Sequence, residues 1–221
     1  MLLNGQVGPQ TNSDGANPPL RQGKTGELSV ANLHGRFYEQ AVRGNIYTGG
    51  ISNTALVAAN AIATGLTATA QPVIGLYNPS TSLVNLVILK ATVVMTAIAN
   101  TAVAPGGFAW VYSVGNSGVS TGSAPINTKT LTAVGSSGKF FAVSTALTGL
   151  TNNLAFLKES DIAPINAAGP GTAIHQPQGC TFEQVDGAII VPPGGVVGIM
   201  NQVATTTVSV AVGIVWEEVA I

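Results

Sequence analysis

Ionised side chains are scarce in this chain. Asp, Glu, Lys and Arg make up 8% of its 221 residues, against about 25% in an ordinary soluble domain. Nine acids against eight bases leave a formal net charge of −1, so there is no general basic field for nucleic acid or a membrane surface. Cysteine occurs once, as Cys180, which excludes an intrachain disulfide and a zinc site built on several thiolates. The Glu/Lys/Leu heptads of a coiled coil are missing. With 46% hydrophobic residues and almost no net charge, the chain is also unlike a disordered polyelectrolyte. The longest apolar run, Leu83–Ala99, is broken by Asn85 and Lys90 and falls short of the roughly 20 residues that span a bilayer as a helix. Met1–Gln6 lacks the basic and apolar regions of a secretory signal. No Asn-x-Ser/Thr sequon occurs. These features predict synthesis in a bacterial cytoplasm without export.

What is abundant is uncharged polarity. Ser (14), Thr (23), Asn (16) and Gln (9) are joined by 27 Gly and 12 Pro. The few charges are unevenly placed. Arg21, Arg36 and Arg43 lie near the start with Lys24, residues 44–157 hold only Lys90, Lys129 and Lys139, and six acids follow residue 158. Residues 1–45 read as an extended N-terminal arm. Their Gly, Asn and Pro content, including Pro18-Pro19, excludes a central strand or a helix interior. Gly26–Gln40 carries Leu28, Val30, Leu33, Phe37 and Tyr38, enough apolar surface to dock but not to fold alone.

Residues 46–221 read as a β domain. Leu83–Ala99 is apolar on both faces, which predicts a strand covered on both sides. Phe108–Val114 follows the turn Pro105-Gly106-Gly107, and Phe140–Val143 follows Gly135–Gly138. Ala188–Val191 runs through Pro192-Pro193-Gly194-Gly195 into Val196–Val203, expected as its hairpin partner. Val208, Val210, Val212, Ile214 and Trp216 alternate with Thr207, Ser209, Ala211 and Gly213, giving one core face and one thin face. Leu150–Ser160 and Ala55–Ala63 are the best short-helix candidates. Eight to ten short strands at this spacing predict an all-β, antiparallel β-sandwich of jelly-roll type, with a closed barrel as second choice.

Candidate chemistry is thin. Gly23-Lys24-Thr25 lacks the upstream glycine and strand of a phosphate loop. His175, Cys180 and Asp186 lie near one another in sequence, but a nucleophile triad is defined by geometry, not proximity. His34 and His175 have no partners at metal-ligand spacing. Glu217 and Glu218, adjacent on a strand, point to opposite faces. Phe108, Trp110, Tyr112, Phe140, Phe141 and Trp216 are expected in the core. The stretch Arg36–Arg43, with Arg21 and Lys24, is the best candidate for partner contact, because guanidinium forks and Phe37 or Tyr38 rings suit buried interfaces. No catalytic set and no cofactor site is read here, and a non-enzymatic role is expected.

A surface this poor in charge is expected to be covered by neighbours in an oligomer. The arm text Arg21–Val30 and Leu33–Gln40, followed by a Thr/Ala/Gly/Val-rich β domain, resembles virion structural proteins of tailed bacteriophages. Among them it is most similar to jelly-roll capsid decoration, or cement, proteins. That resemblance implies a homo-oligomer, a trimer foremost, on the capsid surface of the virion, with the arm running between copies of the major capsid protein. Two other roles stay open: a phage fibre or receptor-binding, glycan-binding module, and a jelly-roll major capsid protein.

Overall fold

The computed structural model describes residues 5–6, 20–21, 35–62, 66–67, 71–98, 106–118, 122–142, 150–162, 181–206 and 208–221. The chain divides into two compact units, 1–39 and 40–221. In the first, β1 (Gly5–Gln6) and β2 (Leu20–Arg21) pair in parallel. Helix α1 (Tyr38–Arg43) leads into the second unit. It stops at Gly44, whose left-handed φ of +80° lets its N–H reach the Ala41 carbonyl while Asn45 N–H reaches that of Gln40.

The second unit is an antiparallel sandwich. Its strands are β3 (Ile46–Ala55), β4 (Ile74–Tyr77), β5 (Val84–Ile98), β6 (Phe108–Ser113), β7 (Ile126–Asn127), β8 (Lys139–Ala142), β9 (Ala155–Glu159), β10 (Phe182–Val191), β11 (Val196–Asn201) and β12 (Val208–Ala220). They form two five-stranded sheets, ordered β10-β5-β12-β3-β7 and β8-β4-β11-β6-β9. Setting aside the short edge strands β7 and β8, both inserted between β6 and β9, the remaining strands cross between sheets in the order of a jelly roll.

The main core lies between the sheets. Trp216, Ile214, Val210 and Ile88 of one face meet Trp110, Phe108, Ile74 and Ile199 of the other. β12 follows the expected alternation: Val208, Val210, Val212, Ile214 and Trp216 are buried while Ser209, Ala211 and Gly213 are only partly so. The sheets come close near β3 and β8, where a Cβ on Gly49 would sit 2.6 Å from the Phe140 ring. β4 is buried at every position. Its sheet is covered on its outer face by a second cluster, in which Tyr77, Val111, Phe141, Val196 and Met200 pack with Leu150 and Leu154.

Four expectations change. β5 is core on one face, but Val87, Lys90, Thr92 and Val94 on the other are half-buried rather than covered. β10 and β11 are not a hairpin: Pro192–Gly195 turns the chain from one sheet to the other, with Gly194 at φ +75°. Within the expected helix at 150–160, Ala155–Glu159 is a strand, because the open edge of β6 offers it backbone partners. In the other helix candidate the described residues show no α-helix, and Ala58–Asn60 forms a 3-10 turn. Among the described residues no helix is long and apolar enough to cross a membrane.

Candidate interface at the edges of the sandwich

Of the residues singled out for partner contact, Arg36, Phe37, Tyr38 and Arg43 lie in or next to α1. Arg36 holds its guanidinium 5.3 Å from the centre of the Phe37 ring, within cation-π range. Tyr38, Val42 and Arg43 are exposed. Glu39 in the first turn and Arg43 in the last suit the helix dipole. Arg21 belongs to β2, where its backbone pairs with Gln6. Lys24 lies outside the described residues, as do His34, His175 and Cys180. Asp186 sits at a bulge in β10, with φ +51°. Glu217 and Glu218 do not share a site. Burial raises the pKa of Glu217, while Glu218 accepts hydrogen bonds from Ser136 Oγ at 2.7 Å and Ser137 N at 3.0 Å. Among the described residues no group of three His, Cys, Asp or Glu side chains is placed to hold a metal ion.

The most organised polar feature lies where β10, the edge of one sheet, faces β6 and β9 at the edge of the other. Val185 and Val191 point inward from β10, and Glu183 is in phase with Val185, so its carboxylate enters the core. Trp110 Nε1 donates to it at 2.7 Å, Ser160 Oγ at 2.7 Å and Lys158 Nζ at 2.6 Å, with Asp161 N more distant at 3.3 Å. Burial alone would push this carboxyl up. The hydrogen bonds from Lys158, Ser160 and Trp110, with the charge of Lys158, outweigh that and hold it below the ordinary glutamate value. A carboxylate so saturated with donors has neither a proton to give nor a lone pair aimed at solvent. It ties the two sheets together. Sequence reading passed over Glu183, although its phase within β10 was a usable signal.

Beside this tie the sandwich opens. An apolar cavity of about 370 Å³ is lined by Tyr112 and Val114 near the end of β6, Leu157 and Lys158 of β9, and Ile190 and Val191 of β10. Phe108, Trp110, Phe140, Phe141 and Trp216 are buried as expected, but Tyr112 is half-exposed here. Phe156, Leu157, Phe182 and Ile190 are exposed along the same edge. Lys158 is the charged wall of the cavity, and its ammonium is already paired with Glu183. The chemistry available is apolar contact rather than acid–base work.

The opposite edge, formed by β7 and β8, has a different character. Asn127 shapes the turn after β7: its Oδ1 accepts from Lys129 N at 2.9 Å, and its backbone pairs with Leu131 and Thr132. Leu131 at the tip has φ +57° and is 78% exposed. That conformation is costly for a leucine, and burial within the chain does not offset it. Val134 is exposed nearby in sequence, and Lys129 and Lys139 flank the loop. No protein-family model, curated protein or solved structure matches the chain.

Proposed function

We propose that this chain is a structural virion protein of the capsid decoration kind, working by adhesion to a shell and not by catalysis. The observation that carries the reading is the outer face of the β10-β5-β12-β3-β7 sheet. Thr48, Gly50, Thr92, Ala211, Gly213 and Val215 make its centre smooth and uncharged, with Lys90, Glu217 and Asp186 as ionised groups and Phe182, Ile190 and Ile126 exposed towards its margins. Among the described residues the buried apolar clusters lie between the sheets and on the other outer face, not here. A central strip of short side chains allows close approach of another protein surface at little desolvation cost. The Arg36–Arg43 stretch adds exposed aromatic and cationic groups suited to gripping a capsid lattice. The major capsid protein is the partner this reading requires.

The test is co-sedimentation with phage heads stripped of the protein. The full chain is expected to bind and to raise the temperature at which heads release DNA, and a variant lacking residues 1–39 is expected to lose most of that binding. Full-strength decoration by the truncated chain would rule out the arm's role. No binding by the full chain would overturn the reading.

A further inference from the structure

The two lateral edges of the sandwich differ in a way that makes them complementary. The β7/β8 edge projects Leu131 and Val134, with Lys129 and Lys139 as the cations flanking that loop and Glu218 folded onto the 136–138 loop. The β9/β10 edge is concave and apolar, and Glu159, Asp161 and Asp186 are its outlying acids. Lys158 there is paired with Glu183, and Lys90, one strand in, lies over the Phe182 ring at 4.6 Å. Among the described residues β9 and β10 each pair on one side only, leaving a row of backbone groups unpaired by another described strand. A projecting apolar tip with basic flanks thus stands at one end of each copy, and an apolar cavity with acidic flanks at the other.

We propose that copies of this chain associate head to tail, the Leu131 turn of one entering the cavity beside Ile190 and Leu157 of the next. The strained backbone at Leu131 fits this role. It costs the isolated chain stability and holds an aliphatic side chain out where only a second surface can bury it. A contact between two different patches is heterologous, so it closes into a ring when the rotation per copy allows and otherwise extends into a filament. This deepens the structural reading by naming how copies meet, and its test needs no shell.

Sedimentation velocity of the full chain over a range of concentrations gives the test, with Leu131→Asp breaking the tip and Ile190→Asp breaking the cavity. The wild type is expected to associate. Each variant alone is expected to stay monomeric, its apparent dissociation constant raised at least about thirtyfold, as for a central interface anchor. An equimolar mixture should form a one-to-one pair and nothing larger, because one intact tip remains for one intact cavity. The mixture is run about tenfold more concentrated, since a single contact lacks the avidity of a closed ring. Leu131→Asp should melt no lower than wild type, because aspartate tolerates the left-handed backbone better than leucine. If Ile190→Asp unfolds, Asp161→Lys replaces it, with Lys129→Glu as the rescuing partner in the mixture. A monomeric wild type, a variant that associates undiminished, or a mixture that stays monomeric would each overturn the proposal. Self-association without binding to heads would instead sink the decoration role and leave this one standing.

Discussion

The outer faces of the two sheets follow opposite rules. On the β8-β4-β11-β6-β9 sheet, Tyr77, Val111, Phe141, Val196 and Met200 are buried under Leu150 and Leu154. On its partner the equivalent layer is Thr48, Thr92, Ala211, Gly213 and Val215, none of them fully buried. One sheet is a wall with two cores, and its strands read as nearly unbroken apolar runs. Among the described residues the other has one core and one side without an apolar layer over it, and β12 alternates accordingly. The chain therefore invests its stability in one sheet and leaves the other free to meet something else.

Substitutions can break this contrast. Phe141→Ala in the covered layer should cost about 4 kcal/mol, by lost burial plus a cavity, read by chemical denaturation. Glu183→Ala should cost about 3 kcal/mol, because Trp110 Nε1 and Ser160 Oγ lose their acceptor inside the sandwich. The same tie sets an acid dependence. The folded-state pKa of Glu183 lies below the ordinary glutamate value, so its contribution is complete above that ordinary value and is lost as the pH falls through the folded one. Melting temperature measured from pH 7 down to pH 3 should therefore drop less steeply in Glu183→Ala than in wild type. Lys158→Met should cost about 1 kcal/mol, since its ammonium is half in water. Val215→Thr on the bare face should change stability by less than about 0.5 kcal/mol. A loss there as large as at Phe141 would mean the face is not bare.

Much of the sandwich was legible in the sequence. Side-chain alternation in β12, the long β5 run and the Gly/Pro turns gave an all-β sandwich, because those signals are local. What was not legible depended on distant partners. Ala155–Glu159 carries helix-tolerant residues, yet the free edge of β6, more than forty positions upstream, made it a strand. Pro192–Gly195 marked a turn correctly, but whether a turn returns to its own sheet or crosses to the other is settled by packing, not by turn residues. Glu183 belongs to no motif in the sequence, and only the inward phase of β10 and the donors from β6 and β9 make it the tie between sheets. The Leu131 tip gave no local signal, since leucine is not a residue that announces a left-handed backbone.

The central claim is that this surface exists to be covered by a shell, and imaging the native particle by electron cryomicroscopy tests it most directly. The account predicts the sandwich seated on the outside of a phage head, the β10-β5-β12-β3-β7 face or the Arg36–Arg43 stretch against major capsid subunits. A chain found only at a fibre tip, or missing from purified virions, would contradict it.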